Sequence, residues 1–239
     1  MKSLLIALLV LIFSSSVSAA KWDPSREQTI QLFKLLAHEL NREKVFIEFK
    51  RVIDQGVNVS FIDFEGETML IWLANVKYHR WEADEDQRPI PFSDWDKKLL
   101  KLLVDNGADL NQILVSSSRL QYTALHRAVE NKNLALAKEM VALGANHLTS
   151  LSEHSFNLEQ NVLTYTMNFG TYDLETFEYF FNLGGWVPNT RAFCSAGDGA
   201  MSNIGSGRGM ELRRKKILKI LEAAGYDWEK CDVILGLGH

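Results

Sequence analysis

Six histidines are the first residues to consider, because imidazole binds metals and transfers protons near neutral pH. His147 and His154 lie seven residues apart with Glu153 between them, a set of ligand types that could hold zinc in one loop. No second group of ligands accompanies them, so an exposed loop is the favoured interpretation. His38-Glu39 lacks the second histidine of the zinc metalloprotease helix. The sequence therefore predicts no metal site and no bound cofactor.

Other patterns that support catalysis are also missing from the sequence. Residues 197–209 are rich in glycine, but a phosphate-binding loop would follow a strand and end in a Lys-Ser or Lys-Thr pair. Here a helix is expected before the stretch and the lysines come six residues after it, so we expect a flexible surface loop. The Gly-x-Ser-x-Gly turn of serine hydrolases does not occur. We therefore predict that the protein is not an enzyme.

The two cysteines, Cys194 and Cys231, both lie near the C-terminus. An even number of cysteines in an exported chain favours one disulfide, with two separate buried thiols as the alternative. No histidine lies near either cysteine in sequence, which argues against a catalytic thiol. In the chain-entropy model, closing a loop of this size would stabilise the fold by about 3–4 kcal/mol.

A basic run, Arg213-Arg214-Lys215-Lys216, begins the last long predicted helix, Glu211 to Ala224. A solvated helix face is the favoured interpretation, and contact with an acidic partner is the alternative. The whole chain has a formal charge of −4, so nucleic acid and anionic membranes are not expected partners. Its hydrophobic fraction of 46% and charged fraction of 23% are those of a folded globular protein.

Aromatic and acidic side chains are interleaved between Val76 and Asp96, where Pro89 and Pro91 restrict the backbone. Large aromatic side chains dominate interface hot spots, so this stretch is predicted to be a projecting binding loop. The alternative is that its tryptophans fold back onto the protein. The residues expected to touch a partner are Tyr78, Trp81, Glu82, Asp84 and Trp95.

The N-terminus has the pattern of a secretory signal peptide. Lys2 precedes an apolar run from Leu4 to Phe13, and small residues occupy positions 17–19. The run is shorter than the roughly 20 residues that a bilayer-spanning helix needs. We expect a signal peptide over residues 1–19, a single domain over 20–239 without a membrane span, and a periplasmic or secreted protein.

The remaining chain contains a recurring element, an apolar helix that ends at a glycine. The five endings are at Gly56, Gly107, Gly144, Gly184 and Gly225, with spacings of 51, 37, 40 and 41 residues. A glycine at such a place can adopt the left-handed backbone that closes a helix C-terminus. The spacing therefore predicts about five helical hairpins, with an unrelated helical bundle as the alternative.

A second recurring element precedes two of these hairpins. Thr68 and Thr123 each follow a polar turn and can cap a helix through the side-chain oxygen. The stretch Thr123-Ala124-Leu125-His126-Arg127-Ala128 resembles the Thr-x-Leu-His-x-Ala signature of ankyrin repeats. The resemblance covers most of residues 55–228, is specific in the His126 repeat, and is loose elsewhere. The repeats are longer than the usual ankyrin length, and residues 76–96 account for the largest excess.

The resemblance implies an all-α ankyrin-repeat solenoid of about five degenerate helix-turn-helix repeats. Helices predicted over Ser25–Leu40 and Glu43–Asp54 would form an N-terminal cap. His126 would have the structural role of the signature histidine, hydrogen bonding across the turn. Ankyrin repeats bind proteins through turn tips, here near 61–65, 116–121 and 154–160. The tip residues expected to touch a partner are Phe64, Glu65, Arg119 and Tyr122.

An exported ankyrin stack is similar to the self-protection, or immunity, proteins that bacteria make against their own cell-wall hydrolases. That resemblance implies a periplasmic inhibitor that caps a peptidoglycan DD-endopeptidase and blocks access of the substrate. The alternatives are a secreted effector that binds a host protein and a periplasmic scaffold.

Overall fold

The computed structural model describes residues 24–63, 66–75, 92–115, 121–152, 159–167, 173–202 and 208–236. These ranges are mostly helical, with eleven helices and four two-residue strands, which confirms the all-α class. The predicted signal peptide lies outside the described residues. In chain order, the elements are α1 (Pro24–His38), α2 (Arg42–Ile53), α3 (Met69–Asn75), α4 (Asp94–Asp105), β1 (Leu114–Val115), β2 (Gln121–Tyr122), α5 (Ala124–Glu130), α6 (Leu134–Ala142), β3 (Leu151–Ser152), β4 (Glu159–Gln160), α7 (Val162–Tyr165), α8 (Leu174–Asn182), α9 (Arg191–Ser202), α10 (Arg208–Ala223) and α11 (Trp228–Leu235).

The helices pack as successive pairs arranged in two rows. α1 contacts α2, and the same holds for α3 with α4, α5 with α6, α7 with α8, and α9 with α10. In the first row, α1, α3, α5, α7 and α9 contact one another in turn, and α11 packs against α9. In the second row, α2, α4 and α6 contact one another in turn, as do α8 and α10. Each pair thus shields its apolar faces against its neighbours, and one continuous core results.

The predicted glycines end the helix pairs as expected. Gly56, Gly107, Gly144, Gly184 and Gly225 have φ values of 89°, 94°, 104°, 79° and 95°. At Gly107, its own N–H donates to Val104 O at 3.0 Å and the next N–H, from Ala108, donates to Leu103 O at 3.0 Å. These bonds satisfy carbonyls that the end of α4 would otherwise leave unpaired. The left-handed backbone therefore turns the chain without exposing polar groups.

Side chains in the loops fix the spacing between successive pairs. Ser60 Oγ donates to the carbonyl of Gly107 at 3.0 Å, and Asn111 Nδ2 donates to that of Gly144 at 3.3 Å. His147 Nε2 lies 3.0 Å from the carbonyl of Gly184. In each case the loop after one helix pair holds the glycine that ends the next pair. We call these three contacts the glycine ladder.

The start of α4 is set by a capping box and a buried ion pair. Ser93 Oγ accepts from Asp96 N at 3.3 Å, while Asp96 Oδ2 accepts from Ser93 N at 3.0 Å. The other carboxylate oxygen of Asp96 accepts from Arg42 Nε of α2 at 2.6 Å, with both side chains 6% exposed. The helix therefore begins at Asp94, two residues before the expected end of the 76–96 insertion. Residues 76–91 lie outside the described residues.

The glycine-rich stretch differs from the expected surface loop. Helix α9 continues to Ser202, so Gly197 and Gly199 are helical and that part of the prediction was wrong. The reason is packing, because a Cβ at Gly197 would lie 1.9 Å from Cε2 of Tyr226. Glycine here lets the Tyr226 ring lie directly on α9.

The disulfide prediction is confirmed. Cys194 of α9 and Cys231 of α11 are joined with an S–S distance of 2.03 Å, and both are fully buried. Arg191 Nη2 also donates to Ile234 O at 3.1 Å, so two links hold α11 on α9. The last helix is thereby fixed as the end of the first row.

Candidate functional site

The loops that precede the first-row helices lie side by side. Strand β1 pairs antiparallel with β2, with Leu114 opposite Tyr122, and β3 pairs antiparallel with β4. The β2 strand also contacts β3, so the two hairpins are neighbours. The segment before α3 follows the same course, because Ser60 contacts Gly107 and a Cβ at Gly66 would lie 3.8 Å from Val115 O. The described residues that flank the predicted binding tips therefore lie in neighbouring loops.

The His126 motif is a structural element at the start of α5. Thr123 Oγ1 accepts from the N–H of His126 at 3.4 Å, and His126 Nδ1 lies 2.8 Å from the same oxygen. The imidazole is fully buried, and its ring meets that of Tyr165 edge to face at 5.1 Å. Burial lowers the pKa of His126 to about 3, against a smaller opposing influence of the Thr149 backbone. The ring is therefore neutral at physiological pH and inaccessible to a ligand.

A polar network anchors the β1–β2 hairpin to the first-row helices. Tyr122 Oη donates to Glu67 Oε1 at 3.4 Å, and the Arg127 guanidinium lies 4.3 Å from the centre of the Tyr122 ring. Arg127 Nη1 also donates to Glu130 Oε2 at 2.8 Å. Burial raises the pKa of the Tyr122 hydroxyl, and the carboxylate of Glu67 adds to that effect. Burial works to lower the pKa of Arg127, but Glu130 and Tyr122 together raise it.

A second network closes the loop before α3. Asp63 N donates to Glu67 O at 2.9 Å, and Glu67 N donates to Asp63 Oδ1 at 2.8 Å. The other Asp63 oxygen accepts from Trp72 Nε1 at 2.8 Å, and the Trp72 ring packs 5.4 Å from that of Phe33. Both ends of the short loop between Asp63 and Glu67 are thus attached to α3 and α1.

Three aliphatic side chains on these loops are exposed; Ile62 lies within the predicted tip at 61–65, whereas Ile113 and Val115 were not predicted from the sequence. Ile62, Ile113 and Val115 are 42%, 50% and 55% exposed. We call them the hairpin surface. Contiguous groups of exposed apolar side chains mark protein contact sites, whereas single ones are common on any protein surface. A signal was available, because Ile62 and Ile113 each come six residues after a helix-ending glycine, Gly56 and Gly107.

The predicted contact residues fall into three groups. Trp95 lies on α4 in the second row, where its ring packs 5.4 Å from that of Phe46 and Lys98 Nζ lies 3.9 Å from its centre. Tyr122 lies by the first row and is only 3% exposed, so Arg127 offers more surface to a partner than Tyr122 does. The structure does not bring Trp95 and Tyr122 together. The remaining predicted residues lie outside the described ranges: Phe64, Glu65, Tyr78, Trp81, Glu82, Asp84 and Arg119.

The described residues give no sign of a metal site or of a membrane-spanning helix. Across the described ranges, no group of three or more His, Cys, Asp or Glu side chains could hold a metal ion. His147, one of the two histidines weighed as ligands, instead belongs to the glycine ladder, and His154 lies outside the described residues. No helix in the part of the chain that the structure describes is long and apolar enough to cross a membrane. No protein-family model matches the chain, and no curated protein matches its sequence.

Proposed function

We propose that this chain is an exported ankyrin-type repeat protein that binds another protein. The observation that carries the proposal is the repeated packing of helix pairs in two rows, held in register by the glycine ladder. The contact between the Thr123 and His126 side chains supports the ankyrin assignment, because these two residues are the threonine and the histidine of the Thr-x-Leu-His signature. Stacked repeats of this kind present extended, rigid surfaces that suit protein partners.

The contact surface in this proposal is the hairpin surface, together with the loop tips beside it. Its three aliphatic side chains offer apolar area, and the partly exposed Arg127, held in place by Glu130 and Tyr122, offers a fixed polar group beside them. Because hydrogen bonds at Asp63, Ser60 and Asn111 already hold these loops, binding would cost little conformational entropy. Trp95 would lie outside this surface, on the second row of helices.

The partner in this proposal is a peptidoglycan DD-endopeptidase, and the protein acts as a periplasmic inhibitor or immunity protein that caps it. The Cys194–Cys231 disulfide supports an oxidising compartment such as the periplasm or the cell exterior. The signal-peptide pattern of residues 1–19 supports export. The choice of target comes from the resemblance to bacterial self-protection proteins.

Periplasmic co-expression tests the proposal. We expect the full chain to relieve the growth defect caused by a DD-endopeptidase from the same organism. Replacing Ile113 and Val115 together by Asp should abolish that relief, because two charges would replace exposed apolar contacts. Val233→Asp is the control, since Val233 is 81% exposed on α11, which packs against α9. A chain found only in the culture medium would instead favour the secreted-effector alternative.

A further inference from the structure

Positive charge is concentrated on one helix of this acidic protein. Helix α10 (Arg208–Ala223) contains six basic and two acidic residues, whereas the whole chain has a formal charge of −4. The remainder of the chain is therefore more acidic than the total suggests. Such an asymmetry creates a local positive potential that attracts negatively charged groups.

Eight basic side chains outside α10 pair with a carboxylate, whereas Lys34, Lys98, Lys132 and Lys138 have no such pair within the described ranges. Of the basic run in α10, Arg214 and Lys215 share Glu211, at 3.0 and 3.4 Å. By contrast, no carboxylate in the described ranges lies within 4.0 Å of Lys216 or Lys219. The basic residues that do form ion pairs are Arg42, Lys44, Lys50, Arg51, Lys97, Lys101, Arg127, Arg214, Lys215 and Lys230.

The two unpaired lysines share a helix face with an exposed leucine. Leu212, Lys216 and Lys219 follow one another at spacings of four and three residues, which places them on one side of a helix. Leu212 is 58% exposed and both lysines are exposed, whereas Ile217 and Leu221 on the opposite side are fully buried. We call Leu212, Lys216 and Lys219 the α10 face.

In the part of the chain that the structure describes, this face of α10 is exposed to solvent. α10 packs against α8 and α9, and it is the last helix of the second row. Each earlier helix of a repeat stack has a neighbour on its far side, whereas the last helix has none. The outer face of a terminal repeat is usually polar. An exposed leucine beside two unpaired lysines is therefore unusual at this position.

We propose that the α10 face binds an acidic segment of a protein partner. Carboxylates spaced one helical turn apart would pair with Lys216 and Lys219, and an apolar side chain between them would pack on Leu212. A protein fits better than an anionic bilayer for two reasons. The apolar side of α10 is already buried, so the helix cannot insert, and the net negative charge opposes approach to anionic lipid. This surface is separate from the hairpin surface, and the two proposals can fail independently.

Fluorescence anisotropy with a synthetic peptide of repeating Glu and Leu tests this proposal. The same peptide with Gln in place of Glu is the probe control, and phosphatidylglycerol vesicles test the lipid alternative. Replacing Lys216 and Lys219 together by Gln should weaken peptide binding about fivefold or more, since each exposed charge pair contributes modestly. Lys34→Gln with Lys138→Gln is the control, because both lysines are exposed, form no ion pair within the described ranges, and lie on α1 and α6.

The expected result is binding of the Glu peptide that weakens with salt and is reduced only in the Lys216/Lys219 variant. Circular dichroism should show the same helicity in both variants. Three outcomes would overturn the proposal: no binding of the Glu peptide at low salt, equal weakening by both double variants, or equal binding of the Gln peptide. Vesicle binding that depends on Lys216 and Lys219 would also overturn it and assign the face to lipid.

Discussion

The Nδ1 atom of His126 lies 2.8 Å from Oγ1 of Thr123, and both side chains are buried at the start of α5. Because Thr123 Oγ1 also accepts from the His126 N–H, the pair fixes the first turn of the helix. Helix α5 contacts α3 and α7 on either side, so this turn positions the centre of the first row.

Stability should depend on pH through His126. The unfolded chain binds a proton at this residue below its ordinary pKa of 6.5, whereas the folded chain does so only near pH 3. Protonation of His126 therefore does not reduce the stability above pH 6.5. Below that value, it lowers the free energy of unfolding by about 1.4 kcal/mol for each pH unit. Urea unfolding of the native protein and of His126→Gln should show a stability difference that shrinks between pH 6.5 and 5. Curves that stay parallel over that range would contradict the buried neutral state.

The glycine ladder should contribute measurably to stability. Asn111→Ala removes two hydrogen bonds, from Nδ2 to Gly144 O at 3.3 Å and from Asn146 N to Oδ1 at 2.7 Å. We expect a loss of about 1–2 kcal/mol in the free energy of unfolding. Asn182→Ala is the control, since Asn182 is an exposed residue near the end of α8. Equal effects of the two substitutions in urea titrations would argue against a role for the ladder.

Two glycines in α9 should respond in opposite ways to alanine. At Gly197 an added Cβ would collide with the Tyr226 ring at 1.9 Å, whereas at Gly199 the nearest atom would be Met167 Cε at 3.6 Å. Gly197→Ala should destabilise the protein by about 1–3 kcal/mol through overpacking. Gly199→Ala should be neutral or stabilise it by up to about 1 kcal/mol, because alanine favours a helix. The melting temperatures of the two variants test this prediction. A Gly197→Ala protein as stable as the native one would show that the Tyr226 ring does not lie so close to Gly197.

Reduction of the disulfide should loosen the C-terminal end of the stack. The bond spans 37 residues, so its loss should cost about 3–4 kcal/mol in the chain-entropy model. Urea unfolding with and without a reductant measures this cost. A variant with Cys194→Ser and Cys231→Ser should already have the lower stability and should not respond to the reductant. A native protein that unfolds at the same urea concentration in both conditions would refute the prediction.

The helix pairs could be predicted from sequence because their ends depend on local chemistry. A glycine after an apolar helix has one common use, the left-handed turn, and all five predicted glycines adopt it. Thr123 and Thr68 were recognisable as caps for the same reason. The disulfide could also be predicted from the sequence, because two cysteines allow only one pairing.

Features that depend on distant packing could not be predicted in this way. Gly197 looked like part of a flexible loop, but its role is set by Tyr226, which comes 29 residues later. The hairpin surface was missed because exposure of Ile113 and Val115 depends on how neighbouring loops stack. The start of α4, by contrast, could have been predicted from the sequence, since Ser93 and Asp96 have the spacing of a capping box.

The proposed function depends most on the hairpin surface, so its binding should be measured directly. Calorimetric titration of the mature chain into a purified DD-endopeptidase from the same organism, with peptidoglycan cleavage followed in parallel, provides that measurement. We expect a stoichiometric complex that blocks cleavage. Replacing Ile113 and Val115 together by Asp should lower the affinity about tenfold or more, whereas Val233→Asp should leave it unchanged. Absence of a complex, or an equal loss of affinity in both variants, would contradict it.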